Sequence, residues 1–265
     1  MNRIESRLHS LKADGRKALI PFLTAGDPDL EATHDIVLAM DEAGADVIEL
    51  GVPFSDPIAD GPVIQRATER ALEAGTTLEG VLDLVRKIRE SSEIPLLLFS
   101  YYNPLLCRGL EQLADDARES GVDGILASDL TVEEADSFID AMRSRGLSTV
   151  FLVAPTSSPE RIERIAGTST GFLYAVSRTG VTGARNELSE DLAGFVRLLK
   201  THTTSPIAVG FGISTPEHVQ AIWQEADAAV VGSAIVREIE ASSGHPDLAA
   251  RVGRFVNQLR GGDDS

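Results

Sequence analysis

The chain has 265 residues, 43% of them hydrophobic, and a formal net charge of −17. That length and composition suffice for a sizeable core, and the charge repels nucleic acid and anionic membrane over most of the surface. A lone cysteine, Cys107, rules out an internal disulfide and suits a reducing cytoplasm.

The opening segment, Met1 to Arg16, alternates charge with short apolar steps, so it is read as a short amphipathic helix and not as a signal peptide or membrane span. Behind it, apolar β-branched runs alternate with stretches of helical spacing. The runs are Ala18 to Thr24, Asp46 to Leu50, Pro95 to Ser100, Gly124 to Ala127, Ser148 to Val153, Gly171 to Ala175, Ile207 to Gly210 and Ala228 to Val231, which makes eight strands. Helical spacing marks Leu30 to Glu42, Leu110 to Ser120, Val132 to Arg145 and Pro216 to Gln224. Start signals precede several helices: Asp29, a capping box of Thr131 with Glu134, and Ser158 before Pro159. A weak repeat recurs where helices hand over to strands: Ala43 to Val47, Ser120 to Gly124 and Gln224 to Ala228. Glycine can end the helix in the first two copies, whereas Glu225 departs from that rule in the third. No linker or low-complexity tract divides the chain, so residues 1–265 are expected to form one α/β domain, a (β/α)8 TIM barrel with a short N-terminal helix. A doubly wound sheet is the other arrangement of such units.

Active sites of this barrel lie at the C-terminal strand ends and in the loops that follow. Glu49 ends the second strand, and Asp60 sits in the stiff loop behind it, within ELGVPFSDPIADGP. A strand-end carboxylate can simply cap a backbone group. Between Ile48 and Leu50, however, an inward carboxylate is costly, and burial raises its pKa toward the range a proton shuttle needs. Two glycine loops, Gly210 to Ser214 and Gly232 to Val236, follow strands seven and eight, where this fold recurrently holds phosphate. The polar, glycine-rich segment Ser177 to Arg185 after strand six has the composition of a lid.

No lysine falls at the C-terminal end of a strand, which disfavours a Schiff base, and the five histidines lack metal-ligand spacing. Two carboxylates, an apolar pocket and a phosphate clamp remain. They could isomerise or break bonds in a small phosphorylated substrate by proton transfer. The acid-rich surface has a further reading: only Lys12, Lys17, Lys87 and Lys200 are lysines among 24 basic residues, against 41 acids. Adaptation to high intracellular salt (a halophilic protein) is expected, because at 1 M salt a Debye length of about 3 Å makes strong self-repulsion tolerable.

Six motifs carry a resemblance along essentially the whole chain: PFLTAGDP from Pro21, ELGVPFSDPIADGPVIQ from Glu49, YYNP from Tyr101, YAVSRTGVTGAR from Tyr174, GFGIS from Gly210 and VGSAIV from Val231. The chain resembles the tryptophan synthase α subunit family. The resemblance implies retro-aldol cleavage of indole-3-glycerol phosphate to indole and glyceraldehyde 3-phosphate, in L-tryptophan biosynthesis, with no metal or organic cofactor in this chain. It makes Glu49 the principal acid/base and Asp60 the group that stabilises positive charge on the indole ring. It assigns Phe22, Ile64, Leu126, Tyr174 and Phe211 to the indole pocket, and Gly183, Gly212, Gly232 and Ser233 to the phosphate cradle. Thr182 corresponds to the lid residue that meets the loop aspartate on closure.

The family also implies a pyridoxal-phosphate β subunit as partner in an αββα heterotetramer, receiving indole through a tunnel, with no nucleic acid or membrane involved. Pro53, Asp56 and Asn103 match its interface positions, and the apolar stretch from Tyr101 to Leu106 is expected as an anchoring loop. Thr131 departs from the family, which usually carries proline there. Another phosphate-binding barrel isomerase and a non-catalytic regulatory barrel are the competing readings.

Overall fold

The computed structural model describes residues 2–176, 190–210 and 212–262. Its strands are β1 (Ala18–Thr24), β2 (Ile48–Gly51), β3 (Leu96–Ser100), β4 (Gly124–Ala127), β5 (Ser148–Thr149), β6 (Leu152–Val153), β7 (Leu173–Val176), β8 (Ile207–Gly210) and β9 (Ala228–Val231). The helices up to β4 are α1 (Arg3–Ala13), α2 (Leu30–Glu42), α3 (Pro62–Glu73), α4 (Leu78–Arg89), α5 (Tyr102–Arg108) and α6 (Leu110–Ser120). After β4 come α7 (Asp136–Ser144), α8 (Pro159–Thr168), α9 (Glu190–His202), α10 (Pro216–Glu225), α11 (Ser233–Ser242) and α12 (Leu248–Arg260).

All strand pairs are parallel, in the order β5-β4-β3-β2-β1-β9-β8-β7-β6. The two terminal strands of that order are pieces of one run, separated only by Val150 and Phe151, so the sheet curls into the expected (β/α)8 barrel. The fifth run is split because Phe151 donates its backbone N–H to Ser169 Oγ at 3.3 Å and not to a strand.

Period-two alternation sorts the strand side chains. Leu19, Leu23, Ile48, Leu50, Leu96 and Leu98 face the helices and join the large core layer. Ile20, Val47, Leu97, Leu126, Phe172 and Tyr174 fill the barrel interior. Helix α1 starts with an Asn2–Glu5 capping box, and its Ile4, Leu8 and Leu11, spaced along one face, pack into that interior from the N-terminal end.

The junction repeat has a structural meaning beyond helix ending. Asp46, Asp123 and Asp227 accept the backbone N–H of Leu19, Leu96 and Ile207 on the preceding strand, at 2.9, 2.9 and 3.0 Å. Each also faces a cation from α1: Arg7 at 2.7 Å from Asp46, Arg3 at 3.1 Å from Asp123 and Lys12 at 4.0 Å from Asp227. One carboxylate thereby ties two strands together and holds the helix that closes the barrel's base.

Local start signals hold at Asp29 and Ser158, whose side chains accept from Ala32 and Arg161. The Thr131 capping box does not form. Residues 131–135 make a turn that buries Val132 and Ala135, and α7 begins only at Asp136 without a side-chain cap. Burial of two apolar side chains outweighs one local hydrogen bond there.

Candidate active site

Strand β2 aims Glu49 and Gly51 into the barrel, where Val47 just before the strand also points, because their neighbours Ile48 and Leu50 are drawn outward by the helix layer. Glu49 is 1% exposed, and neither carboxylate oxygen has a hydrogen-bond partner among the described residues. Burial alone pushes its pKa up to about 8. Tyr174, facing it from β7, has a hydroxyl held well above its ordinary pKa by burial and by the nearby Glu49 charge.

Two glycines are required by how closely side chains approach these strands. A Cβ on Gly51 would lie 2.7 Å from Phe22 Cζ, and one on Gly210 would lie 2.6 Å from the Tyr174 hydroxyl.

Above Glu49 lies a small crevice between the strand tips and α3, lined by Phe22, Thr24, Asp60, Ile64, Phe99 and Tyr101. The Phe22 and Phe99 rings meet edge to face at 5.4 Å. The Asp60 loop is pinned at several points. Gln65 donates to the Asp60 carbonyl at 2.9 Å, the Tyr101 hydroxyl accepts from the Ala59 N–H at 2.9 Å, and Phe54 packs 5.3 Å from the Tyr101 ring. Tyr101 also lines the crevice beside Asp60. Burial raises Asp60 from its ordinary pKa, against the opposing influence of the Tyr101 hydroxyl, while burial and the Asp60 charge push Tyr101 up to about 12.

Across the barrel mouth, Gly212 turns the β8 loop with a φ of +68°, and Gly232 precedes α11, which Ser233 opens. The first turn of α11 has neither a side-chain cap nor an acidic residue, so its backbone N–H groups and the helix dipole are available to an anion. Gly232 lies against Phe22, where an added Cβ would be 3.6 Å from Cδ1. Phe22 thus spans the distance between the carboxylate side of the mouth and this anion-ready helix end.

The structure brings together Glu49, Asp60, Phe22, Ile64, Tyr174, Gly212, Gly232 and Ser233 at the C-terminal face. Leu126 is inside the barrel, packed in the interior layer and absent from the crevice lining. Thr182, Gly183 and Phe211 lie outside the described residues, as does the expected lid from Ser177 to Arg185. Of the expected interface positions, Asp56 and Asn103 are exposed, whereas Pro53 is buried. The stretch read as an anchoring loop is largely helical: α5 starts at Tyr102, with Pro104 tolerated in its first turn.

Sequence reasoning missed Thr24, Phe99 and Tyr101 as lining groups. Period two along β1 and β3 would have placed the first two, since Thr24 shares a face with Phe22 and Phe99 with Leu97.

Residues 8–261 match the family model described as Tryptophan synthase alpha chain. The tryptophan synthase alpha chain of Solibacter usitatus is 55% identical over 262 residues, covering 99% of this chain and 98% of the relative. The crystal structure of tryptophan synthase subunit alpha from Legionella pneumophila superposes with a TM-score of 0.91 at 39% identity, covering 98% of both chains. A chain of the tryptophan synthase a2b2 complex from Pyrococcus furiosus gives 0.87 at 42% identity, covering 92% of this chain and 98% of its own. With its fold and its sequence both matching over nearly the whole length, the chain belongs to the tryptophan synthase alpha chain family.

Proposed function

We propose that Glu49 and Asp60 carry out the family's reaction, the cleavage of indole-3-glycerol phosphate to indole and glyceraldehyde 3-phosphate, as one arm of tryptophan biosynthesis. The observation that supports this most is a fully buried carboxyl with no hydrogen-bond partner among the described residues, whose pKa is pushed up to about 8. Such a group is largely an acid at neutral pH and returns readily from its conjugate base. As the acid, Glu49 gives its proton to indole C3 and leaves a cationic ring, whose N–H side Asp60 stabilises. As the resulting carboxylate, it takes the proton of the adjacent glycerol hydroxyl. The carbon–carbon bond then breaks, its electron pair restores the aromatic ring, and the hydroxyl carbon leaves as an aldehyde. Protons balance, with Glu49 ending as it began.

Phe22, Ile64, Leu126 and Tyr174 supply apolar walls for the indole, joined by Phe211. Gly212, Gly232 and Ser233, with Gly183, offer N–H groups to the phosphate, and Thr182 is assigned to meet Asp60 on closure. Every step is a proton transfer or an electron shift within the substrate, so this chain uses no cofactor of its own. Pyridoxal phosphate belongs to the partner.

That partner is a β subunit in an αββα assembly, a reading supported by the likeness to a chain of the Pyrococcus a2b2 complex. Ile58, 87% exposed, and Leu106, 50% exposed, present apolar surface at the catalytic end near Asp56 and Asn103. Pro53 contributes by stiffening the loop behind that surface. We place the assembly in the cytoplasm, and no helix among the described residues is long and apolar enough to cross a membrane. The charge of −17 supports a protein working at high salt.

Indole release by the purified chain, at low and high salt and with or without a β subunit, tests these points together. Cleavage that rises with the β subunit and persists at molar salt is expected. No indole under any condition would refute the reaction, and maximal thermal stability at low ionic strength would refute the salt adaptation.

A further inference from the structure

A charged cluster behind the active-site wall has no part in the chemistry above. Asp27, in the loop after β1, is 2% exposed and is gripped by Arg70 of α3 through two bonds of 2.7 and 2.8 Å. The third nitrogen of the same guanidinium, Nη1, donates to Glu240 of α11 at 2.9 Å. Arg66, one turn earlier on α3, holds both oxygens of Glu240 at 2.9 and 2.8 Å. These bonds to Arg66 and Arg70 draw Glu240 down to a pKa of about 2, so it stays charged throughout the neutral range.

The two helices joined here bear the two halves of the site. α3 begins at Pro62, directly behind Asp60, and carries Ile64 in the crevice wall; α11 begins at Ser233, at the anion-ready end. Nearer the site they touch through a small apolar cluster of Phe22, Ala67 and Val236. Apolar contact is non-directional and lets helices slide, whereas a planar guanidinium bonded on both edges fixes distance and angle.

We propose that Arg70 is a positioning residue that sets the separation between the indole-facing and phosphate-facing halves of the site, by bracing α3 against both the β1 loop and α11. The proposal rests on the site reading given above. It makes a demand that simple stabilisation does not: a ligand filling one half should be indifferent to the brace, and only a ligand spanning both halves should feel it.

The test compares wild type with R70K, which keeps charge but loses the fork, and with E240Q, which leaves the Arg70–Asp27 pair intact should R70K fold poorly. Three probes are titrated by calorimetry: indole, glycerol 3-phosphate, and the non-cleavable spanning analogue 3-(indol-3-yl)propyl phosphate. The expected result is spanning-analogue affinity reduced about tenfold in E240Q and more in R70K, with both half-ligands bound within about twofold of wild type. Equal losses for all three probes, or a lowered melting temperature with all three affinities unchanged, would overturn the brace. Wild type that binds no glycerol 3-phosphate even at saturating indole would instead overturn the phosphate assignment beneath it.

Discussion

The buried aspartates at the base of the barrel and the buried Glu49 at its mouth meet opposite surroundings. At the N-terminal end, Asp46 and Asp123 are at most 2% exposed, and each is met by a strand N–H and by arginines, including Arg7 and Arg260 on Asp46 and Arg3 and Arg89 on Asp123. At the C-terminal end, Glu49 is 1% exposed and neither oxygen has a hydrogen-bond partner among the described residues. The paired groups make the charged form comfortable and so serve stability. The unpaired one makes the charged form costly, which suits a group that must give up and regain a proton. Burial alone therefore does not distinguish a structural acid from a chemical one; the set of partners does.

Removing one acid from each end gives the sharpest contrast. Glu49→Gln should lower indole release by about 10²–10⁴-fold while circular dichroism and the melting transition show a folded protein no less stable than wild type. Asp123→Ala should do the reverse. It leaves Arg89 without its carboxylate and the Leu96 N–H without its acceptor, and should cost about 3–5 kcal/mol in urea unfolding, with turnover per folded molecule within about twofold of wild type. A large activity loss in the folded Asp123 variant, or a stability loss in Glu49→Gln, would erase the distinction between the two ends.

The pH dependence sharpens it further. Glu49 has a folded pKa of about 8 against an ordinary 4.5, so between those values the folded state holds a proton that the unfolded state has released. Its contribution to stability is most favourable below pH 4.5, is progressively lost as pH rises toward 8, and is constant above that. Stability of wild type relative to Glu49→Gln should therefore fall by about 1.4 kcal/mol per pH unit through this window, a few kcal/mol in all. Paired denaturation curves at pH 5, 6.5 and 8 would show it, and a difference that does not change with pH would count against it.

The smallest expected effect concerns the loop. Tyr101→Phe removes the hydroxyl that receives the Ala59 N–H and so loosens the loop that carries Asp60; turnover should drop about tenfold while unfolding free energy changes by about 1 kcal/mol. Steady-state kinetics alongside thermal melts would separate the two.

Much of this contrast was legible in the residue pattern. The apolar neighbours Ile48 and Leu50 marked Glu49 as a candidate inward carboxylate, and the glycines after the last two strands marked loops fit for an anion. The N-terminal end was harder to read. Asp46, Asp123 and Asp227 stood in a visible repeat, yet their partners are a strand N–H contributed from 20 to 27 residues away and cations on α1, pairings that only closure of the barrel creates. Tyr101 was misread for the same reason: its role comes from contact with a loop some 42 residues earlier. The Thr131 cap failed because tertiary burial of Val132 and Ala135 overrode a local signal. Periodicity reports which way a side chain points; it does not report what it meets.

The central claim is that Glu49 titrates near neutrality inside the barrel, and its carboxyl can be watched directly. Infrared difference spectra between wild type and Glu49→Gln, recorded from pH 4 to 10, isolate the protonated C=O stretch of this one side chain. The prediction is a band that persists through pH 7 and disappears with a midpoint near 8. A midpoint near the ordinary 4.5 would mean that Glu49 is already ionised at neutral pH, and would contradict its assignment as the proton relay.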